Sequence, residues 1–179
     1  MTKQLHRNSD LICLFNDCFR DTFNTVLVKG DSEPLYLPAE SGASCHQIIF
    51  AHGYFSSALH EISHWCIAGE QRRTQLDYGY WYLPDGRSES QQMQFEQVEI
   101  KPQALEWIFS VAAKHRFHMS IDNLGGEAFN RPLFANNLSE QVLNYLKVGM
   151  PVRAQTFAKA LADFYQGKII QEAFDPKSL

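Results

Sequence analysis

Two histidines four residues apart, His60 and His64, bracket a glutamate in the segment His60-Glu61-Ile62-Ser63-His64. A helix turns the chain by about 100° per residue, so in a helical segment the two imidazoles stand one above the other and can grip one divalent cation. The flanks supply what such a helix requires. Ser56 or Ser57 can cap its first turn and Gly69 can close its last, while Ala58, Leu59, Ile62, Trp65 and Cys66 gather on a face opposite the histidines. The apolar stripe is expected to pack, with the imidazoles looking into a cleft. The competing reading is an amphipathic helix whose polar side happens to carry two histidines, and a third ligand is what separates the two.

Two imidazoles leave a divalent ion short of protein ligands, and a catalytic site commonly adds a third while keeping positions open for water or substrate. The segment Phe95-Glu96-Gln97-Val98-Glu99-Ile100-Lys101-Pro102 offers two carboxylates on a helix expected to cross the histidine helix. Glu99 is the first candidate. It stands just before an expected break at Pro102, on one face with Gln103 and Glu106 rather than with Phe95. Glu96 is the second, and a plain solvated acidic face is the alternative to both. Glu61 is the candidate catalytic group. In a hydrolase it would take a proton from a metal-activated water, whereas in an oxygen-using enzyme it would position or protonate an oxygen species. His52 is near enough in sequence to reach the cleft; His46, His115 and His118 are expected at the surface or satisfied by ordinary hydrogen bonds.

The elements around these residues read as helix-rich. Residues 10–23 place Ile12, Phe15, Phe19 and Phe23 at helical spacing. Residues 25–29, 34–37 and 47–51 are short extended pieces around the turn-rich Gly30-Asp31-Ser32, enough for a small sheet. Tyr78-Gly79-Tyr80-Trp81-Tyr82 alternates like a strand before the turn Pro84-Asp85-Gly86, and its aromatics are core or cleft wall. Residues 95–100 and 102–114 read as two helical pieces meeting near Pro102. Asn137-x-x-Glu140 resembles a capping box, predicting a helix from there to about Gly149, and another helix is predicted over 153–165. The expected class is α+β, one helix-predominant domain over residues 1–179 with a small sheet and the histidine helix at its centre.

Composition narrows the partners. A chain of 179 residues with 45% apolar residues can build a sizeable single core. The net charge of −4 leaves no basic excess to track phosphates, so no direct nucleic-acid partner is expected. The first eight residues have no apolar run of signal-peptide length and no later stretch could span a bilayer, so the expectation is a cytoplasmic protein without a membrane partner. Cys13, Cys18, Cys45 and Cys66 lack Cys-x-x-Cys spacing; Cys13, Cys18 and Cys66 lie among apolar residues and are expected as reduced core residues. Neither a His-x-Asp nor a His-x-Glu pair is present, which speaks against an iron oxygenase of the 2-oxoglutarate barrel type, and no 2-oxoglutarate requirement is implied. A phosphate-binding glycine loop, a Gly-x-Ser-x-Gly elbow and a dinucleotide fingerprint are absent too.

The run His52-Gly53-Tyr54-Phe55-Ser56-Ser57-Ala58-Leu59-His60-Glu61-Ile62-Ser63-His64-Trp65-Cys66-Ile67-Ala68-Gly69 resembles the elongation factor P hydroxylase family. Also similar are Leu14-Phe15-Asn16 with Cys18-Phe19, Lys29-Gly30-Asp31, Tyr36-Leu37-Pro38-Ala39, Tyr80-Trp81-Tyr82 with Pro84-Asp85-Gly86-Arg87, and Val98-Glu99 followed by Lys101-Pro102-Gln103-Ala104-Leu105. The resemblance implies hydroxylation of the β-lysylated lysine of translation elongation factor P, with dioxygen as co-substrate. It further implies a non-haem Fe(II) site in which His60, His64 and Glu99 occupy the matching positions, although Glu96 matches the family pattern as well. Tyr78, Tyr80, Trp81 and Asp85 are candidates for holding the cationic side chain, since ammonium groups rest on ring faces and pair with carboxylates. The rival readings are a zinc peptidase with Glu61 as base, and a non-enzymatic metal-stabilised domain that binds the factor.

Overall fold

The computed structural model describes residues 6–39, 42, 44–77, 88–120 and 130–179. The chain opens with α1 (Asn8–Phe23), which buries Leu11, Phe15 and Phe19 on one stripe and ends at Asn24 in the left-handed region, where asparagine is tolerated. The strand β1 (Thr25–Lys29) follows at once and is tied back to the helix, because the Leu27 amide donates to Asn16 Oδ1 at 2.9 Å. β2 (Leu35–Leu37) and β3 (His46–Phe50) complete a small sheet of order β1-β3-β2, parallel between β1 and β3 and antiparallel between β2 and β3. Ile48 and Phe50 of the central strand point into the core. Beyond β2, Tyr36 exchanges both backbone hydrogen bonds with Asp77, so the chain returns to cover that edge.

The sheet leads through a tight turn at Ala51–Gly53 into α2 (Phe55–Ile67), the histidine helix. Its buried stripe is the expected one, Ala58, Leu59, Ile62, Trp65 and Cys66, joined by Ser63, whose hydroxyl donates to the Leu59 carbonyl at 2.7 Å. Its ends differ from the expected caps. Tyr54 holds the N-cap position without a side-chain bond, and Ser57 Oγ instead accepts from the Ala51 amide. At the other end Ala68, not Gly69, is the cap residue. Arg153 Nη2 donates to the Trp65, Cys66 and Ala68 carbonyls, and Arg73 Nη1 donates to Ala68. Guanidinium groups from elsewhere in the chain thus satisfy the helix end and match its dipole.

α3 (Glu89–Ala112) starts from a Ser88–Gln91 capping box and runs unbroken through Pro102, correcting the expected division there. Local preference against helix before proline is outweighed by packing: residues 102–110 are all buried against the neighbouring helices. The Val98 carbonyl, which Pro102 cannot bond, sits at a residue 55% exposed, within reach of water. α4 (Arg131–Val148) begins six residues before the expected Asn137, since Asn130 caps it by accepting from the Leu133 amide and Pro132 occupies its first turn. Its end at Gly149, with φ of 108°, is where glycine was expected to stop it. α5 (Val152–Tyr165) buries Phe157 and Leu161 against α1 and α3.

Helices and sheet share one core whose centre is aromatic, with Phe157 edge-on to Phe15 and Phe109. The expected helix-predominant α+β class with a three-stranded sheet is what the described residues form. Cys66 is buried and Cys18 packs partly against the core, but Cys13 is exposed, on the α1 face turned away from Phe15. All four cysteines are free. No helix among the described residues is long and apolar enough to cross a membrane. The expected strand and turn at 78–86, with Tyr78, Tyr80, Trp81 and Asp85, lie outside the described residues.

Candidate metal centre

α2 packs across α3, and the polar residues of both helices meet where they touch. Four residues of helix set His60 and His64 on one side, and their Nε2 atoms converge to 3.1 Å. From α3, Glu99 places Oε1 3.4 Å from His64 Nε2 and Oε2 3.7 Å from His60 Nε2. Among the described residues these three form a group able to hold a metal ion, one ligand atom from each lying within 4.8 Å of the others. Glu99 is 1% exposed, whereas the two imidazole side chains are 24% and 25% exposed, so the group has a walled side and an open one.

The spacings suit a cation. Two donors, each about 2.1 Å from a shared ion, lie about 3.0 Å apart at a right angle and about 3.4 Å apart at the tetrahedral angle. A shift of a few tenths of an ångström would bring the 3.7 Å pair into that range. Two imidazoles and one carboxylate, with further positions open, are a donor set that non-haem Fe(II) and zinc both accept. The electrostatics agree. Burial alone would lower the pKa of His60, but the hydrogen bond and charge of Glu106, together with Glu99 and Glu61, push it up to about 10. Without a metal, a proton sits where the site's negative charge calls for a cation. Burial would likewise raise Glu99, yet its bond to His64 and the charges of both histidines hold it down to about 2.

Glu106 and Gln103, which the sequence placed on the Glu99 face without a role, support this group. Glu106 Oε2 lies 2.8 Å from His60 Nδ1. A carboxylate only accepts, so Nδ1 carries the proton and, in the neutral ring, the Nε2 lone pair is left for a metal. Gln103 donates to Glu99 Oε2 at 3.4 Å and is itself fixed by two bonds to the backbone of Ser120. Their signal in the sequence is a run of polar residues at 99, 103 and 106, one helix face apart from the apolar Ala104, Leu105, Trp107, Ile108 and Phe109. Phe95, expected on another face, is buried one turn before Glu99 on the same side. Glu106→Ala is expected to weaken metal binding by about 10–100-fold, the usual cost of losing a group that orients a ligand, with partial rescue in Glu106→Gln. Titration of the metal-free protein with Fe(II) or a surrogate ion, followed by calorimetry, checks this.

The remaining candidates take other places. Glu61 lies beside the group and lines a slot running along α2; burial raises its pKa, with His60 and His64 pulling it back. Glu96 is half-buried on α3 and its carboxylate is not part of the converging group. His52 is exposed, with its ring near that of Tyr54 rather than in the group. His46 accepts from the Ala39 amide through Nδ1 and stacks on Tyr36, and His118 is exposed. His115 departs from expectation: its buried Nδ1 has no partner, its ring stacks on Phe55, and burial with nearby His6 lowers its pKa, favouring the neutral ring.

A helix-predominant α+β protein thus carries, on crossed helices, a two-histidine, one-carboxylate group whose donor set could hold one metal ion and leave a side open. The chain belongs to the elongation factor P hydroxylase family, whose sequence model matches residues 14–174. It is similar to an elongation factor P lysine hydroxylase of Haemophilus influenzae, 52% identical over 160 residues that cover 89% of this chain and 90% of the relative.

Proposed function

We infer that the whole chain acts as one hydroxylase unit that adds an oxygen atom to a lysine side chain of elongation factor P, the lysine that already bears a β-lysyl group. The reaction converts a C–H bond to C–OH with one atom of dioxygen, while the other atom leaves as water with two electrons and two protons from a reductant. Fe(II) bound by His60, His64 and Glu99 would supply the activation of dioxygen that such a bond requires. The observation that carries this reading is the convergence of both Nε2 atoms and the Glu99 carboxylate in a chain of this family. A translation factor as substrate supports a cytoplasmic site of action.

The chain's own groups have distinct tasks. Glu106 keeps the His60 proton on Nδ1, Gln103 holds the Glu99 carboxylate in line, and the packing of α2 against α3 fixes all three donors before any ion arrives. Glu61 stands on the same turn of α2 as the histidines and faces the space a substrate chain would use. Membership of a hydroxylase family favours this chemistry over peptide hydrolysis.

The test is mass spectrometry of β-lysylated factor incubated with the protein, Fe(II) and a reductant under labelled dioxygen. One labelled oxygen atom on the modified lysine is expected. Oxygen taken from water, no oxygen at all, or cleavage of the factor would overturn the reading. A pH prediction accompanies it. Because His60 in the metal-free protein keeps its second proton up to about pH 10, a metal must displace that proton, and apparent affinity should rise about tenfold per pH unit below that value. The fold is affected in the opposite sense. Protonated His60 stabilises the metal-free protein fully below its ordinary 6.5, and that contribution fades as pH rises through 10. Metal titrations between pH 6 and 8 in buffers of different ionisation enthalpy measure the proton released.

A further inference from the structure

His64 is shared between the candidate centre and a groove of about 980 Å³ that runs from the end of α2 to the turn between α4 and α5. Val98 and Lys101 of α3 and Gln141 and Asn144 of α4 line it as well, so it lies where three helices come together. Its volume is at the upper end of the range for ligand pockets, about 300–1,000 Å³, and admits backbone as well as a side chain. Apart from His64, no residue of the metal group lines it.

The lining suits contact with another protein surface. Val98 is 55% exposed and Val152 76%, and Val148, one residue before the lining Gly149, is 76% exposed too. Apolar side chains gathered at the edge of a polar groove mark a place that a partner covers. Pro102 adds an acceptor, because proline has no amide hydrogen and leaves the Val98 carbonyl without its helical donor. Charge gives the partner its sign. On a chain of net charge −4, Arg73, Lys101 and Arg153 line the groove against Glu70, the one lining carboxylate among the described residues, while Arg72 is paired with Asp77. Arg73 and Arg153 hold the end of α2, so the exposed Lys101 is the cation that a partner meets directly. These cations repel an ammonium group, so the groove does not suit a β-lysyl extension.

Resting on the reading that this protein hydroxylates a lysine of elongation factor P, we propose that the groove docks the body of the factor beside that lysine. The docked face offers a carboxylate to Lys101 and apolar side chains to Val98 and Val152, and the modified lysine crosses from it to the open side of the metal group at His64. Recognition then lies in the protein around the lysine, which makes the folded factor the substrate rather than a free β-lysylated lysine.

The experiment titrates β-lysylated factor calorimetrically into the iron-loaded protein kept free of oxygen, using the parent, Lys101→Glu, Val152→Glu and Lys168→Glu. Each of the first two variants is expected to weaken binding about 10-fold or more and to raise KM for the factor to match. Both should keep the metal content and melting temperature of the parent, since the two side chains are exposed and a glutamate is favourable in the first turn of α5. Lys168→Glu makes the same change of charge at an exposed residue outside the groove, and should bind the factor within about twofold of the parent. Added salt should weaken the parent more than Lys101→Glu. Parental binding in either groove variant, or an equal loss in Lys168→Glu, would overturn the proposal; should one groove variant fold poorly, the other decides alone. A parent that sediments as a dimer, which Val152→Glu dissociates, would give the groove to a second copy of the chain and overturn it too. A parent that transfers labelled oxygen while the groove variants bind like it sinks the docking surface only. A parent that binds the factor and transfers none sinks the hydroxylase reading itself.

Discussion

Glu99→Gln is expected to remove metal binding and, with it, oxygen transfer to the factor. Glutamine matches glutamate in size, so the packing of a residue buried at the α2–α3 contact is kept and the change is one of charge. What is lost is the anionic donor that converges on both imidazoles. An uncharged amide oxygen is a far weaker ligand for a divalent ion, and the amide can turn its NH₂ toward the histidines instead. The loss in affinity should exceed the 10–100-fold typical of groups that merely orient a ligand, so more than about 10²-fold is expected. Glu96→Gln, a few residues away on the same helix, should keep its metal; the reverse pattern would move the third ligand to Glu96. Iron content after gel filtration and calorimetric titration read the outcome directly.

The same substitution has a second signature in the metal-free protein. Because the Glu99 pKa is held down to about 2, its carboxylate stabilises the fold above the ordinary value of 4.5, and the contribution disappears as pH falls through 2. Metal-free Glu99→Gln should therefore melt below the parent at neutral pH and approach it in strong acid. Agreement between this curve and the metal titration would show that one carboxylate serves both purposes.

How much of this could be read from the chain depends on the range of the forces involved. The His60–His64 pair and its opposite apolar stripe are local, set by helical periodicity alone, and both were legible. Glu99 was legible as one of two carboxylates, but separating it from Glu96 depends on where α3 crosses α2, which no local pattern records. The same holds for Glu106 and Gln103: their spacing put them on one face, while their partners, His60 Nδ1 and the Ser120 backbone, come from distant segments.

The misread elements fail for the same reason. Pro102 obeys a local rule that core packing of residues 102–110 overrides. Asn137-x-x-Glu140 has the letters of a cap, yet Asn130 and Pro132 had already started the helix, so the pattern sits inside α4 with Leu138 and Ser139 buried. Gly69 looked like the stop for α2, but Arg153 reaches the α2 carbonyls from 85 or more positions along the chain. Sequence spacing reports the geometry of one helix; the donor set of a centre built between two helices is a property of their crossing.

The largest effect expected on the fold comes from Gly167, just past the end of α5, where the chain runs close against the C-terminal backbone of α3. A Cβ placed there would lie 2.0 Å from the Ala112 carbonyl oxygen, 2.5 Å from its carbon and 2.6 Å from the Val111 oxygen. All three are backbone atoms at the C-terminal end of α3, where no side chain can rotate away, so relief requires moving one segment against the other. Gly167→Ala should therefore cost about 3 kcal/mol, the upper part of the usual overpacking range. In a chain of this size that lowers the melting temperature by roughly 6–12 °C. Gly69→Ala is the matched control, since a Cβ there meets nothing within 4 Å, and it should shift stability by no more than about 0.5 kcal/mol. The two glycines also separate fold from site. Gly167 lies at the α3 end remote in sequence from Glu99, so below its own melting temperature Gly167→Ala should still bind metal with near-parental affinity. A variant that melts normally would mean that the contact between the Gly167 segment and the end of α3 is looser than the backbone distances require, and scanning calorimetry on the pair of variants decides it.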